Sequence, residues 1–134
     1  MNLVEKLIKA DKSKAFELDT KKIKSRKLSK ITGEPTEITS RELHGDEVND
    51  INQIALNKDG GRDSAKMYDV NVMYCVKGIV DPSMKDETLM KEFGAATPKD
   101  LVKKLFDSEA FAISDEIVKL TGITKESEEE VKNS

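Results

Sequence analysis

The chain has 134 residues, of which 37% are hydrophobic and 37% charged, and a formal net charge of −3. That length fits one domain, and no apolar run reaches the roughly 18–20 residues that a membrane-spanning helix needs. A single cysteine excludes an internal disulfide, and the acidic balance argues against nucleic acid or an anionic membrane as a ligand of the whole surface.

Residues 2–10 read as a short amphipathic helix, because Leu3, Val4, Leu7 and Ile8 fall on one stripe. Charge interleaved with these positions distinguishes the segment from a signal peptide. A helix this short is marginal alone and must dock. The expectation is packing on its own domain, with a partner surface as the alternative.

Residues 15–43 read as two or three short strands in a hairpin or meander. Phe16 and Leu18 alternate with polar neighbours, and Ile23, Leu28 and Ile31 follow. Gly33-Glu34-Pro35 is a turn signal, and Thr36-Glu37-Ile38-Thr39 is rich in β-branched residues.

Residues 46–57 read as a helix with Val48, Ile51, Ile54 and Ala55 at three-to-four spacing, and Asp46 and Glu47 at its positive end. Lys58-Asp59-Gly60-Gly61-Arg62-Asp63 is a surface turn; it lacks the Lys and Ser/Thr of a phosphate loop and the acidic spacing of a calcium loop. Residues 64–80 carry two patterns. Tyr68, Val70, Val72, Tyr74 and Val76 alternate as in a strand, while Met67, Met73, Cys75, Ile79 and Val80 widen the apolar set. The run is long for a strand and has Asp63 or Ser64 as a cap, so it reads as a buried central helix.

Asp81-Pro82 breaks that helix. A short helix over 84–93 follows, with Met84, Leu89, Met90 and Phe93 on its apolar face and Gly94 as its stop. Thr97-Pro98-Lys99-Asp100 combines a capping threonine, proline at the first helical position and an acid at the third. Leu101, Val102, Leu105 and Phe106 form the stripe behind it. A last helix over 107–120 turns Phe111, Ile113, Ile117, Val118 and Leu120 inward and ends at Gly122. The expected fold is α+β and mostly helical: a small N-terminal β-hairpin or meander, then a bundle of about four to five helices. It forms one domain over 1–123, with a flexible acidic tail over 124–134.

The residues give no basis for an enzyme. His44 and Cys75 are the only histidine and cysteine, too few for a zinc site. Cys75 sits in the most apolar stretch, as a small core residue does. No metal or cofactor site is expected. Lys21, Lys22, Lys24, Arg26, Lys27 and Lys30 form an acid-free basic run that could track phosphates. No aromatic residue interleaves to stack on bases, so an acidic protein partner fits better than nucleic acid.

Taken together, several segments resemble the XkdN-like family of phage tail assembly chaperones. They are Leu3-Val4-Glu5-Lys6-Leu7-Ile8 with Ala10-Asp11, Leu28-Ser29-Lys30-Ile31-Thr32-Gly33-Glu34-Pro35, Gly78-Ile79-Val80-Asp81-Pro82 and Leu120-Thr121-Gly122. The most specific is Phe93-Gly94-Ala95-Ala96-Thr97-Pro98-Lys99-Asp100-Leu101-Val102-Lys103-Lys104-Leu105-Phe106. One departure is His44-Gly45-Asp46-Glu47, where a Thr-x-x-Glu cap is expected. The resemblance implies a non-catalytic factor of the host cytoplasm, from a contractile-tailed phage, prophage or tail-like particle and absent from the mature particle. It would bind the tape measure protein, keep it soluble and help recruit tail tube subunits, with self-association and a frameshifted longer form as further expectations. Methionine suits an adaptable groove for an apolar helix, so Met84, Leu89, Met90 and Phe93 are the candidate partner-binding residues. The alternative function is a small nucleic-acid-binding regulator that uses the basic run.

Overall fold

In the computed structural model, residues 1–122 are described; the tail expected over 124–134 lies outside them. The elements run α1 (Leu3–Lys9), β1 (Thr20–Lys24), α2 (Arg26–Thr32), β2 (Glu37–Arg41), α3 (Gly45–Gln53), α4 (Met67–Gly78), β3 (Ile79–Asp81), α5 (Glu87–Glu92), α6 (Pro98–Phe106) and α7 (Glu109–Thr121). This is the expected mostly helical α+β fold: five helices, α3 to α7, follow β2, and α1 and α2 bring the described residues to seven α-helices.

The central helix is α4. It packs chiefly on α7 and α6, with α3 alongside. Val70, Val72, Tyr74, Cys75, Val76 and Gly78 are all buried, on several sides of the helix. That explains the conflicting patterns in the sequence: a helix covered all round shows no single apolar stripe. Its last apolar residues do become a strand, since Ile79–Asp81 pairs antiparallel with β2. A cis peptide bond joins Asp81 to Pro82.

The sheet has the order β1-β2-β3, which leaves β1 as an edge. The N-terminal region differs from the expected strands at two places. Leu28 and Ile31 lie in helix α2, not in a strand, and Phe16 lies in a 3-10 turn over Lys12–Phe16. The cause is local chemistry. Ser25 Oγ accepts the Leu28 N–H at 3.1 Å, and Gly33, at φ 79, donates its N–H to the Ser29 carbonyl. A serine N-cap and a left-handed glycine thus bracket a seven-residue helix between two paired strands.

The Thr97-Pro98 start is as expected. Thr97 Oγ1 accepts the Asp100 N–H at 3.2 Å, and Leu101, Val102, Leu105 and Phe106 are buried behind it. In α7 the inward set differs from the expected one. Ile113 and Ile117 are buried with Ala110 and Ser114, whereas Phe111 is 48% exposed. Its ring lies 5.3 Å from that of Tyr68 on the surface. Alanine and serine take the inward positions because α7 lies close against α4, where small side chains fit.

At α3 the missing Thr-x-x-Glu cap is made from the other side. Glu47 Oε1 accepts the His44 N–H at 3.0 Å while both of its oxygens bind the Arg41 guanidinium at 2.9 and 2.7 Å. These hydrogen bonds hold the Glu47 carboxyl down at about 2. A depressed carboxylate contributes stability that is complete above its unfolded value near 4.5 and is lost as pH falls through the folded value. The pair is about one-fifth exposed. With solvent screening, on the order of 2 kcal/mol is expected to disappear between about pH 4.5 and 2. Arg41→Met should flatten that acid limb in urea titrations followed by circular dichroism.

Helix α1 has no buried residue. Leu3, Val4, Leu7 and Ile8 are 61–69% exposed and Phe16 is 80% exposed. The expectation that this helix packs on its own domain is therefore overturned. Leu7→Asp and Ile8→Asp should shift the urea midpoint by less than about 0.5 kcal/mol equivalent, as surface changes do; a larger loss would mean that α1 docks on the body in solution.

Candidate functional site

The proposed apolar face is built on α5, a helix fixed at both ends. Asp86 Oδ1 accepts the Leu89 N–H at 2.8 Å. At the other end Gly94 takes φ 65, so that the Gly94 and Ala95 N–H groups donate to the Lys91 and Met90 carbonyls at 3.1 and 2.8 Å. This paired closure satisfies the orphan carbonyls of the last turn. It also orients Leu89, Met90 and Phe93 as a group.

The four candidates do not share one environment. Met84 is 1% exposed and belongs to the core, a place where an unbranched thioether fills irregular space well. Leu89, Met90 and Phe93 are half-buried and packed against the core. The structure thus offers a three-residue apolar rim on α5, with Met84 as part of its support rather than of its surface.

A second surface comes from the basic run. Lys21, Lys22 and Lys24 sit on β1, and Arg26, Lys27 and Lys30 on α2, so the run is divided between a strand and a helix instead of forming one hairpin ribbon. Both elements face α7. Lys21 Nζ pairs with Glu116 at 2.5 Å. Glu109 accepts from Ser25 Oγ at 2.5 Å and from the Arg26 N–H at 2.7 Å, so it covers the start of α2 from outside. Ser25 is fully buried, and this carboxylate satisfies it.

The two potential reactive groups lie on different elements and do not form a hydrogen-bonded pair; Cys75 Sγ instead donates to the Ala110 carbonyl at 3.5 Å. Cys75 is fully buried on α4, and burial pushes its thiol up to about 12, which makes it a poor nucleophile. His44 stands exposed before α3. Among the described residues no group of His, Cys, Asp and Glu is arranged to hold a metal ion.

Sequence reasoning missed the strongest concentration of exposed apolar side chains, in the first 16 residues. The stripe on residues 3–8 was visible, but its lack of cover depends on tertiary packing that periodicity does not encode.

Among known protein families, the model described as phage XkdN-like tail assembly chaperone protein matches residues 4–133. No curated protein matches the chain. Among solved structures, the crystal structure of the protein yqbn is similar in fold: TM-score 0.57 at 12% identity, covering 81% of this chain and 90% of that one.

Proposed function

The chain belongs to the phage XkdN-like tail assembly chaperone family, and on that premise we propose that it binds the tape measure protein, holds it soluble and brings tail tube subunits to it. It would do so in the host cytoplasm by contact alone, without catalysis, and would leave before the particle is finished. The observation that supports this most is the α5 rim. Leu89, Met90 and Phe93 present partly open apolar surface from a helix closed at both ends, next to a packed core. A rigid platform carrying flexible apolar side chains suits a helical client whose sequence varies along its length.

The test is co-expression of full-length chaperone with the tape measure protein. Met90→Asp and Phe93→Asp place charge in that contact and should reduce co-purification at least about tenfold, the equivalent of about 1.4 kcal/mol. Because both side chains also touch the core, the double variant must show a native circular dichroism spectrum and cooperative melting. A folded variant that retains full binding would place the client elsewhere, with α1 as the next surface to change.

The nucleic-acid reading is weaker on this geometry. Glu109 and Glu116 lie within the basic surface, and no aromatic side chain lines it for stacking.

A further inference from the structure

Strand β1 has one open side. Its pairing with β2 runs from Thr20↔Arg41 to Lys24↔Glu37. Two flanking bonds, from the Glu42 N–H to the Asp19 carbonyl and from the Ser25 N–H to the Thr36 carbonyl, set the phase of the ladder. In an antiparallel pair the hydrogen-bonded positions recur at every second residue. Lys21 and Ile23 therefore bond to β2, while Thr20, Lys22 and Lys24 turn their N–H and C=O groups away from it. Among the described residues, none bonds to that open side.

The open side borders a groove. A cleft of about 370 Å³ lies between β1 and the Glu109, Ala112, Ile113 and Glu116 stripe of α7, and a second of about 580 Å³ continues it toward α2. Lys21 pairs with Glu116, so the side chains of Lys21 and Ile23 stand on the α7 side of the strand and those of Thr20, Lys22 and Lys24 on the other. Ala112 is exposed and leaves room on the α7 side. Glu109 is engaged by Ser25 Oγ and the Arg26 N–H. Among the described residues, Lys22, Lys24, Lys27, Lys30 and the Arg26 guanidinium have no ion-pair partner.

We propose that this edge docks an extended acidic segment of a partner protein, added as a strand beside β1. The backbone groups of Thr20, Lys22 and Lys24 supply the affinity, and the alternation of side chains supplies the choice. Acids at every second position stand beside Lys22 and Lys24, and the residues between them face Ala112, where small apolar side chains fit. Opposite charges across paired strands stabilise and like charges do not. The same lysines thus admit an acidic strand and repel the β1 of a second copy. Arg26, Lys27 and Lys30 carry the positive field past the end of the strand. A nucleic acid has no peptide backbone to complete the ladder. This surface is separate from the α5 rim, and the proposal does not rest on the tape measure reading.

The probe is the capped peptide Glu-Val-Glu-Val-Glu-Val-Glu, added at low salt to the isotopically labelled full-length chain. It should slow amide hydrogen exchange at Lys22 and Lys24 at least about tenfold and shift the resonances of β1 and Ala112. The block-ordered peptide Glu-Glu-Glu-Glu-Val-Val-Val has the same charge and should bind at least about tenfold more weakly, because its acids and apolar residues cannot alternate across the strand. Lys22→Glu with Lys24→Glu, at two exposed positions, should weaken the alternating peptide at least about tenfold by setting like charges together. Unprotected Lys22 and Lys24 amides at saturating peptide overturn the proposal, as does equal binding of the two peptides. Tighter binding of an oligothymidine than of the alternating peptide also overturns it and makes the surface a nucleic-acid site. Protection already present without peptide overturns it too, whether or not it depends on the concentration of the chain.

Discussion

Phe106→Ala should lower the free energy of unfolding by about 3–5 kcal/mol, the usual cost of deleting a fully buried ring. Phe106 is 0% exposed and heads the fully buried side chains by volume. It ends the apolar stripe of α6, the helix positioned by the Thr97 cap and Pro98. With only four phenylalanines, two tyrosines and no tryptophan in the chain, few other rings are available to fill the space. Against a typical total of about 5–15 kcal/mol, the loss leaves a marginal domain. Urea denaturation should show a large fall in midpoint with little change in slope. A loss below about 1 kcal/mol would mean that the helices collapse onto the vacated volume more freely than this packing allows.

Gly78→Val is the second large effect, expected at about 3 kcal/mol for overpacking at a rigid contact. Gly78 ends α4 where α7 crosses it, and a Cβ there would sit 2.6 Å from Ile117 Cδ1, 2.9 Å from Cγ2 and 3.1 Å from Cγ1. Three atoms of one fully buried side chain cannot all turn away together. Ile117→Ala in the same chain should recover part of the loss, although alone it costs about 2–5 kcal/mol by opening a cavity. That compensation is the signature of a direct clash in a double-mutant cycle. Additive losses would show instead that the glycine is needed for backbone reasons.

Much of this architecture was legible in the sequence where local chemistry and packing agree. The Thr97-Pro98-Lys99-Asp100 start, the Gly94 stop and the stripe at Leu101, Val102, Leu105 and Phe106 all stand as read. Helix α2 escaped because its signals are short. Ser25 and Gly33 cap it, but only Leu28 is buried, so there is no period to count. Phe111 faces outward although it is apolar, because the close approach of α7 to α4 selects Ala110 and Ser114 for the inward positions. Of the residues singled out for a partner surface, Leu89, Met90 and Phe93 are half-buried against the core while Met84 is 1% exposed, because local apolar spacing does not report which positions the core covers. The groove formed by β1, α2 and α7 joins residues 84 positions apart, as in the Ser25–Glu109 hydrogen bond, and no local pattern reports such a pairing.

Whether this fold works as a contact platform for a tail protein is tested most directly by co-expression with a candidate tape measure protein. The tape measure protein should be soluble and co-purify only when this chain is present, and Met90→Asp with Phe93→Asp should abolish both effects in a folded protein. A tape measure protein that stays insoluble and unbound beside the native chain would contradict it.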